Sequence, residues 1–496
     1  ADNGSSCAVG DFNNDGWLDL LIGRQKLDVP PGSPVGSIML LNNGADGAGN
    51  VTFRQVGPAE TGLTSEVPGM GFGIGDLDND GLLDIVIGRY DISVISLLLV
   101  PIYESQPNEI WRCTGVISGV PQYQRVQGPN ISGGMQPGFS PDTANQTFIP
   151  GTFVVHLTDV DNDGRLDIFY LHDIPGGIDY LHNDGNMAFS FRQQDILNLH
   201  GGWMGIAGGD YDGDADIDYF ITNVGCDFTT SIVPNTVGSA HLEPDGTFFH
   251  KLLRNDAGVL TDITAATAVA HPGPLPPQNS IGGGGLTGTE FGFGATWIDT
   301  DNRGLLDLYW TGDLITFIQR GIVFNSHGVG RFLENAGNGS FVEQTAERGL
   351  FNIQPDRPLA FGEQDAGRAT VALDLNRDLF EDLIVTNSST FGPPNSKHRL
   401  FLNPGVQGQN GLTVRLQGTT SNRFGIGARV TATAGGRTQL REVLTSTSAF
   451  AGVQPQAHFG VGTSTVVDQV HVRWPSGKTG TLNNVAVNQI LTVVEP

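Results

Sequence analysis

Six copies of one short acidic pattern are set along this chain, and each runs directly into an apolar, strand-like segment. Oxygen-bearing side chains stand at positions 1, 3, 5 and 9 of the pattern. The first copy is Asp11-Phe-Asn13-Asn-Asp15-Gly-Trp17-Leu-Asp19, continued by Leu-Leu-Ile-Gly. The second has Asp76, Asp78, Asp80 and Asp84, continued by Ile-Val-Ile-Gly. The third has Asp159, Asp161, Asp163 and Asp167; the fourth has Asp210, Asp212, Asp214 and Asp218. The fifth has Asp299, Asp301 and Asp307; the sixth has Asp374, Asn376, Asp378 and Asp382. Starts 65, 83, 51, 89 and 75 residues apart mark an internal repeat, and a repeat decides architecture before any other feature does.

The intervals share an order of elements. A small-residue strand comes first, as in Gly71-Phe-Gly-Ile-Gly75 or Phe291-Gly-Phe-Gly-Ala295. The acidic loop follows, then an apolar strand such as Asp84–Gly88 or Asp382–Thr386. A third strand ends in an asparagine turn at Asn42, Asn183, Asn255, Asn335 and Asn403. A fourth starts apolar, as in Phe53–Val56 and Phe341–Gln344. Four short strands per unit, 70 glycines without a collagen period, and helix-like windows no longer than Phe341–Leu350 give an all-β chain built as a β-propeller. Seven blades are expected, with the seventh lacking a loop or assembled from both chain ends; six blades is the alternative. Segments 128–150, 226–246 and 264–288, rich in Gly, Pro, Asn and Ser, read as long surface loops of the kind that make contacts. The acidic loops stop near residue 405. The predicted domains are therefore 1–404, the propeller, and 405–496, a small β unit with strands at 428–433, 439–444, 466–474 and 490–494.

Oxygens at positions 1, 3 and 5 of a tight loop project to one side and suit a hard divalent cation, usually calcium. Glycine at position 6 permits the bend. Asp at position 9 closes the shell, and the backbone carbonyl of position 7 (Trp17, Leu82, Arg165 and Asp216 in the first four loops) adds a ligand. Loops 2 and 3 are complete. Loop 4 has Ala215 at position 6, loop 5 has Arg303 at position 5, where its guanidinium can pair with Asp299, Asp301 or Asp307, and loop 6 lacks the glycine. Four calcium sites are expected in loops 1–4, with loops 5 and 6 as the departures. One such loop could be an acidic turn chosen for geometry; six, each just before a strand, could not. An EF-hand loop runs twelve residues between helices, and a dockerin-type module also has helical flanks. The loops hold 21 of the 52 carboxylates, so six divalent cations would take the net charge from −26 to about −14.

The Gly-x-Gly-Asp-x-Asp-x-Asp-Gly-x-x-Asp-Ile-x-x-Gly pattern resembles the FG-GAP/VCBS repeats of integrin-type β-propellers. The tail resembles an ASPIC/UnbV domain in Val414-Arg-Leu, Ser421–Ala428, Arg441-Glu-Val443, His458-Phe-Gly460, Val472–Gly477 and Asn488–Val493. Together they resemble the CRTAC1-like family of secreted proteins. The resemblance implies calcium ligation by positions 1, 3, 5 and 9 of each loop, structural in role, and a secreted, extracellular or periplasmic location.

The acidic balance argues against nucleic acid as a partner, and no window approaches a membrane span. The chain begins almost inside the first repeat, which fits a processed or trimmed N-terminus. Cys7, Cys113 and Cys226 form no paired motif. No nucleophile elbow, zinc-protease helix or phosphate loop occurs, and Gly282–Gly285 reads as a flexible loop. His172 and His182 flank Asp173 and Asp179 and could meet in a cleft, although a solvated surface position is the expectation for both. His458, Arg441 and Trp474 read as structural. Tyr103, Trp111 and Tyr123 could line a carbohydrate surface, with packing as the default. The function read from the sequence is a calcium-binding interaction or adhesion module for a protein or glycan. The alternatives are a carbohydrate-active lyase or hydrolase with its site at the propeller mouth, and an accessory subunit of a larger envelope complex.

Overall fold

Each acidic loop joins the first two strands of an antiparallel sheet. The computed structural model describes residues 6–23, 37–65, 69–90, 92–93, 102–103, 107–127, 151–173, 177–192, 202–223, 250–270, 286, 292–312, 315–319, 322–326, 330–352, 366–388, 397–446 and 450–496. Sheet 1 holds Ser6–Gly10, Asp19–Gly23, Ile38–Ala45 and Val51–Val56; sheet 2 holds Gly69–Gly75, Asp84–Arg89, Glu109–Ile117 and Val120–Arg125. Sheet 3 holds Thr152–Thr158, Asp167–His172, Ile178–Gly185 and Ala188–Phe191; sheet 4 holds Trp203–Gly209, Asp218–Asn223, Lys251–Asp256 and Val259–Asp262. Sheet 5 holds Gly292–Ile298, Asp307–Gly312, Arg331–Asn335 and Phe341–Glu343, and sheet 6 holds Ala366–Leu373, Asp382–Ser388 and Arg399–Phe401. Meandering four-stranded sheets with the loop between strands one and two are propeller blades. The only helices among the described residues are single turns, Pro58–Thr61 and Thr345–Arg348.

The first strand of each sheet packs on the first strand of the next, from sheet 1 through to sheet 6. Their glycines make this possible. A Cβ on Gly71 would lie 2.8 Å from the Val155 nitrogen, and one on Gly294 2.7 Å from the Ala369 Cα, so any side chain there would push neighbouring sheets apart. The apolar core lies between sheets. Leu21, Met39 and Leu41 of sheet 1 meet Phe72, Ile85 and Ile87 of sheet 2. Phe169 and Tyr180 of sheet 3 meet Ile206 and Tyr219 of sheet 4, and Phe220 meets Trp310 across the next junction.

The outer faces of the series differ. Cys7, Val9, Leu20, Ile22, Ile38 and Leu40 share one face of sheet 1, and Val371 and Ile384 share the far face of sheet 6; all are only half-buried. Leu400 and Leu402 beside them are 48% and 58% exposed. The first strands of sheets 1 and 6 do not pack on each other as the other consecutive pairs do.

Two regions depart from the sequence reading. Residues 264–288 were expected as a loop, but Val269–Ala270 adds to sheet 5 as a parallel partner of Phe341–Val342, because the apolar pair has an open strand edge to satisfy. Segments 128–150 and 226–246, Gly282–Gly285 and Cys226 lie outside the described residues. After residue 409 the chain forms two further sheets. One joins Ala457–Gly462, Asn410–Gln417 and Gln489–Val494; the other joins Arg437–Glu442, Arg429–Ala434, Val466–Arg473 and Thr479–Ala486. They enclose Leu412, Val430, Phe459, Val472 and Trp474. Asn410–Gln417, Ala457–Gly462 and Thr479–Ala486 were not anticipated from the sequence.

Candidate metal centre

The loops share one hydrogen-bond plan. In every loop but the fourth the position-1 carboxylate accepts the N–H of positions 5 and 6, as Asp76 does from Asp80 and Gly81, both at 2.9 Å; in loop 4 Asp210 accepts the Gly213 N–H of position 4 at 2.8 Å. Position 4 turns left-handed, at φ 59° in Asn14, 57° in Asn79 and 62° in Asn162, a conformation asparagine tolerates better than most residues. Position 6 is left-handed too, at φ 92°, 90° and 94° in Gly16, Gly81 and Gly164. In every loop but the fifth the position-7 N–H donates to the position-5 carboxylate, as Leu82 does to Asp80 at 3.0 Å.

Position 9 is buried in every loop and does double duty. One oxygen of Asp167 accepts the Val160 N–H (3.1 Å), and the other accepts the Asn183 N–H on the third strand (2.8 Å). Asp19, Asp84, Asp218, Asp307 and Asp382 repeat the arrangement. Position 9 is therefore a strand clamp as well as a candidate ligand. The asparagine turns supply a second clamp. Asn255 Nδ2 donates to the Ile217 carbonyl of its own sheet (3.1 Å) and to the Val160 carbonyl of the preceding loop (2.8 Å). Asn183, Asn335 and Asn403 bridge their neighbours in the same way. The sequence displayed these asparagines as turn formers; their cross-sheet role had no local signal.

The carboxylates are crowded and poorly hydrated. Burial pushes Asp11 up to about 6, Asp19, Asp76 and Asp167 up to about 7, Asp307 to about 8 and Asp218 to about 9, against the backbone N–H donors that favour the charged form. Ligand oxygens of Asp76, Asp78 and Asp84, of Asp159, Asp161 and Asp167, and of Asp210, Asp212, Asp214 and Asp218 lie within 4.8 Å of one another. Oδ1 of Asp78 and Oδ1 of Asp161 are buried and have no hydrogen-bond partner. Acceptor-only groups left unpaired in a ring of acceptors fit a hard cation, which would satisfy them and relieve the repulsion. The residues of loops 2, 3 and 4 would hold it.

Resident cations already sit at some loops. Arg112, on the third strand of sheet 2, reaches Asp78 Oδ2 (2.5 Å) and Asp80 Oδ2 (3.1 Å). Arg303 pairs with Asp301, as its place in loop 5 suggested, and lies 3.4 Å from Glu334. His182 lies 3.0 Å from Asp161, while Asp184 holds its other ring nitrogen at 2.8 Å. In loop 1, Asn13 Nδ2 donates to Asp15 at 2.9 Å, and in loop 6 Asn376 does the same to Asp378.

Histidines expected at the surface are buried. His172 is held between Asp179 (2.9 Å) and the Thr152 hydroxyl (3.0 Å). It lies at the end of its sheet away from the loops, whereas His182 lies at the loop end, so the two share no cleft. Both are buried because sheet 3 packs against a neighbouring sheet on each face. Trp111 and Tyr123 are in the core between sheets 1 and 2, so packing uses them; the Tyr103 side chain is outside the described residues. Cys7 and Cys113 are unpaired.

The C-terminal sheets lie over the loops. Arg423 N–H donates to Asn14 in loop 1 (3.1 Å). The Thr420 carbonyl lies 2.5 Å from where a Cβ on Gly81 in loop 2 would stand. Glu442 accepts the Asp159 N–H (3.0 Å) and the Thr158 hydroxyl (2.7 Å), and Arg473 reaches Asp159 at 2.5 Å. Leu440 N–H donates to Asp210 (3.3 Å). His458 bonds Asn302 at 2.8 Å, and Gly462 N–H donates to the Asn302 carbonyl at 2.7 Å. The buried Arg441 guanidinium faces Asp299, Asp210 and Glu381. The structural roles expected for Arg441 and His458 are thus contacts to the loops, and Trp474 fills the tail's own core.

An FG-GAP-like repeat profile matches residues 159–221, which span loops 3 and 4, and an ASPIC and UnbV profile matches residues 418–496. The chain is an FG-GAP repeat protein with a C-terminal ASPIC/UnbV domain. No curated protein matches it. Among solved structures, it resembles an Agrocybe aegerita lectin that recognises non-reducing terminal N-acetylglucosamine (14% identity, 81% of each chain, TM-score 0.38). It also resembles the V. cholerae biofilm matrix protein Bap1 (11%, 85% of this chain and 60% of that one, TM-score 0.32) and the exotype rhamnogalacturonan lyase YesX (12%, 99% and 72%, TM-score 0.35). No helix among the described residues of this FG-GAP repeat protein is long and apolar enough to cross a membrane.

Proposed function

We propose that this FG-GAP repeat protein is a calcium-stabilised, secreted or periplasmic interaction module that binds a protein or glycan. The observation that carries the reading is the repeated loop with convergent, partly unpartnered carboxylates. Such sites fill where calcium is near millimolar, outside the cytosol. Loops 1–4 would take calcium through positions 1, 3, 5 and 9, with Trp17, Leu82, Arg165 and Asp216 adding backbone carbonyls; loops 5 and 6 would bind more weakly. The division is 1–404 for the propeller and 405–496 for the β unit. Seven blades remain our proposal, supported by the half-exposed apolar faces of sheets 1 and 6.

The C-terminal domain covers the loop face, so the partner would meet the opposite face, where connections such as that between Arg125 and Thr152 leave and re-enter the described strands. Two measurements test this. Calorimetric titration of chelator-treated protein with calcium should give several equivalents. Glycan and protein arrays probed in calcium and in chelator should give a calcium-dependent partner. Heat-free titrations would sink the calcium claim. A polysaccharide cleaved on incubation, with no array partner, would favour the lyase or hydrolase alternative.

A further inference from the structure

The C-terminal domain touches every one of the six loops, and its charge is opposite to theirs. Residues 418–496 carry six Lys/Arg against three Asp/Glu, a net +3, while the rest of the chain holds −29 of the overall −26. Three of its arginines, Arg429, Arg441 and Arg473, are directed at Asp159, Asp210, Asp299 and Glu381. Its edge strand Arg437–Glu442 lies on loops 3 and 4, with the Leu440 N–H spent on Asp210 instead of on another strand. Edge donors are otherwise a liability that a fold must cover.

Seating the domain has an electrostatic cost. Position-1 carboxylates Asp159, Asp210 and Asp299 are 1%, 5% and 0% exposed beneath it. Each belongs to a loop with three or four carboxylates, and three arginines do not balance the set. Charges moved out of water without a counter-ion are strongly disfavoured. Asp212 and Asp214 at positions 3 and 5 of loop 4 remain exposed at the rim, so that loop stays open to an entering ion while its inner carboxylate is covered.

We propose that cation binding at the loops and seating of the C-terminal domain are one linked equilibrium, in which filled loops hold the domain down and emptied loops release it. The inference rests on the calcium reading above. Filled loops present a near-neutral platform whose turns are fixed at the spacing that Arg423, Leu440, His458 and Gly462 engage. Emptied loops present a self-repelling one. A separate contact helps to seat the domain without touching any carboxylate: the Phe450 ring lies edge-on to Phe153 at 4.9 Å and tilted to Phe293 at 6.5 Å, both on first strands of the propeller. Linkage is reciprocal. Weakening the Phe450 contact must therefore weaken calcium binding, although the ring is remote from the ligands.

Hydrogen exchange read by mass spectrometry on the whole chain, in calcium and in chelator, tests the release. The Leu440 and Gly462 amides, which donate to Asp210 and to the Asn302 carbonyl, should lose protection in chelator, while 167–172 in sheet 3 and 466–473 within the domain keep theirs. Calorimetry on Phe450→Ala should show calcium affinity reduced roughly fivefold or more. If calcium binds but the Leu440 and Gly462 amides stay protected in chelator, or Phe450→Ala binds calcium like the parent, the linkage is wrong and the calcium reading stands. Loss of protection everywhere at once also overturns it, leaving calcium as a brace for the whole ring. If no calcium binds, both ideas fall.

Discussion

Ala215 and Leu379 occupy position 6, where loops 1, 2, 3 and 5 have glycine, and they adopt φ of 72° and 69°. A Cβ in that conformation crowds its own backbone by about 1–2 kcal/mol, partly offset by the lower chain entropy of a non-glycine residue. Ala215→Gly and Leu379→Gly should each stabilise the protein by about 0.5–1 kcal/mol in urea denaturation; an unchanged or lower midpoint would show that the turn carries no strain. The missing glycines were visible in the sequence. Arg112 was not, because it lies 32 residues from Asp80 and enters loop 2 only through the pairing of the third strand. Its guanidinium occupies the carboxylates a cation would use. Arg112→Met should tighten calcium binding at loop 2, read by calorimetry as a higher affinity or an added equivalent; the parent isotherm would mean that the arginine yields its place without cost. His250 is equally concealed in sequence. Its Nδ1 accepts the Asn223 N–H, its Nε2 has no partner, and burial lowers its pKa to about 3. The unfolded chain binds a proton near 6.5 and the folded one does not until about 3, so stability is lost as pH falls from 6.5 towards 3. Between pH 7 and 4.5, His250→Gln should lose about 2–3 kcal/mol less than the parent. Equal losses would mean that the imidazole is protonated in place.

At the scale of elements, the junction between sheets depends on the asparagine that closes each third strand. Asn255 satisfies two buried carbonyls, one on each side of the junction, whereas Asn42 Nδ2 in sheet 1 serves, among the described residues, only the Leu18 carbonyl of its own sheet. Leaving buried carbonyls unpaired costs about 1–3 kcal/mol apiece. Asn255→Ala should therefore destabilise by about 2–4 kcal/mol and Asn42→Ala by about 1 kcal/mol, compared by denaturation midpoint. Equal effects would mean that the clamp works within a sheet and not between sheets. Strand order, loop placement and the acidic loops were readable because each repeats and each has a local physical cause. The clamp was not readable, since its second acceptor lies 95 residues away for Asn255. In sheet 2 the same turn has Cys113, whose N–H still meets Asp84. That sheet lacks the asparagine, so the sequence showed no third strand there.

For the whole molecule, the sequence indicated a ring but left its closure open, and the half-buried faces of sheets 1 and 6 bear on that question. Alternation along Asp19–Gly23 sends Leu21 towards sheet 2, where it is 0% exposed, and Leu20 and Ile22 to the other side, where they are half-buried. The two faces of one short strand thus report on two junctions, one packed and one not. Truncating a fully packed leucine costs about 2–5 kcal/mol, since both transfer energy and a cavity are lost. A half-exposed leucine loses less transfer energy and leaves no closed cavity. Leu21→Ala should then cost about 3–4 kcal/mol and Leu20→Ala about 1 kcal/mol or less, measured side by side in urea. A six-sheet ring closed directly on itself would bury Leu20 against Val371 and Ile384 and make the two costs alike. That result would mean that the face is covered, by the sixth sheet or by a seventh unit between the two. A large difference would mean that the junction stands open between the first and sixth sheets, with apolar side chains on both walls.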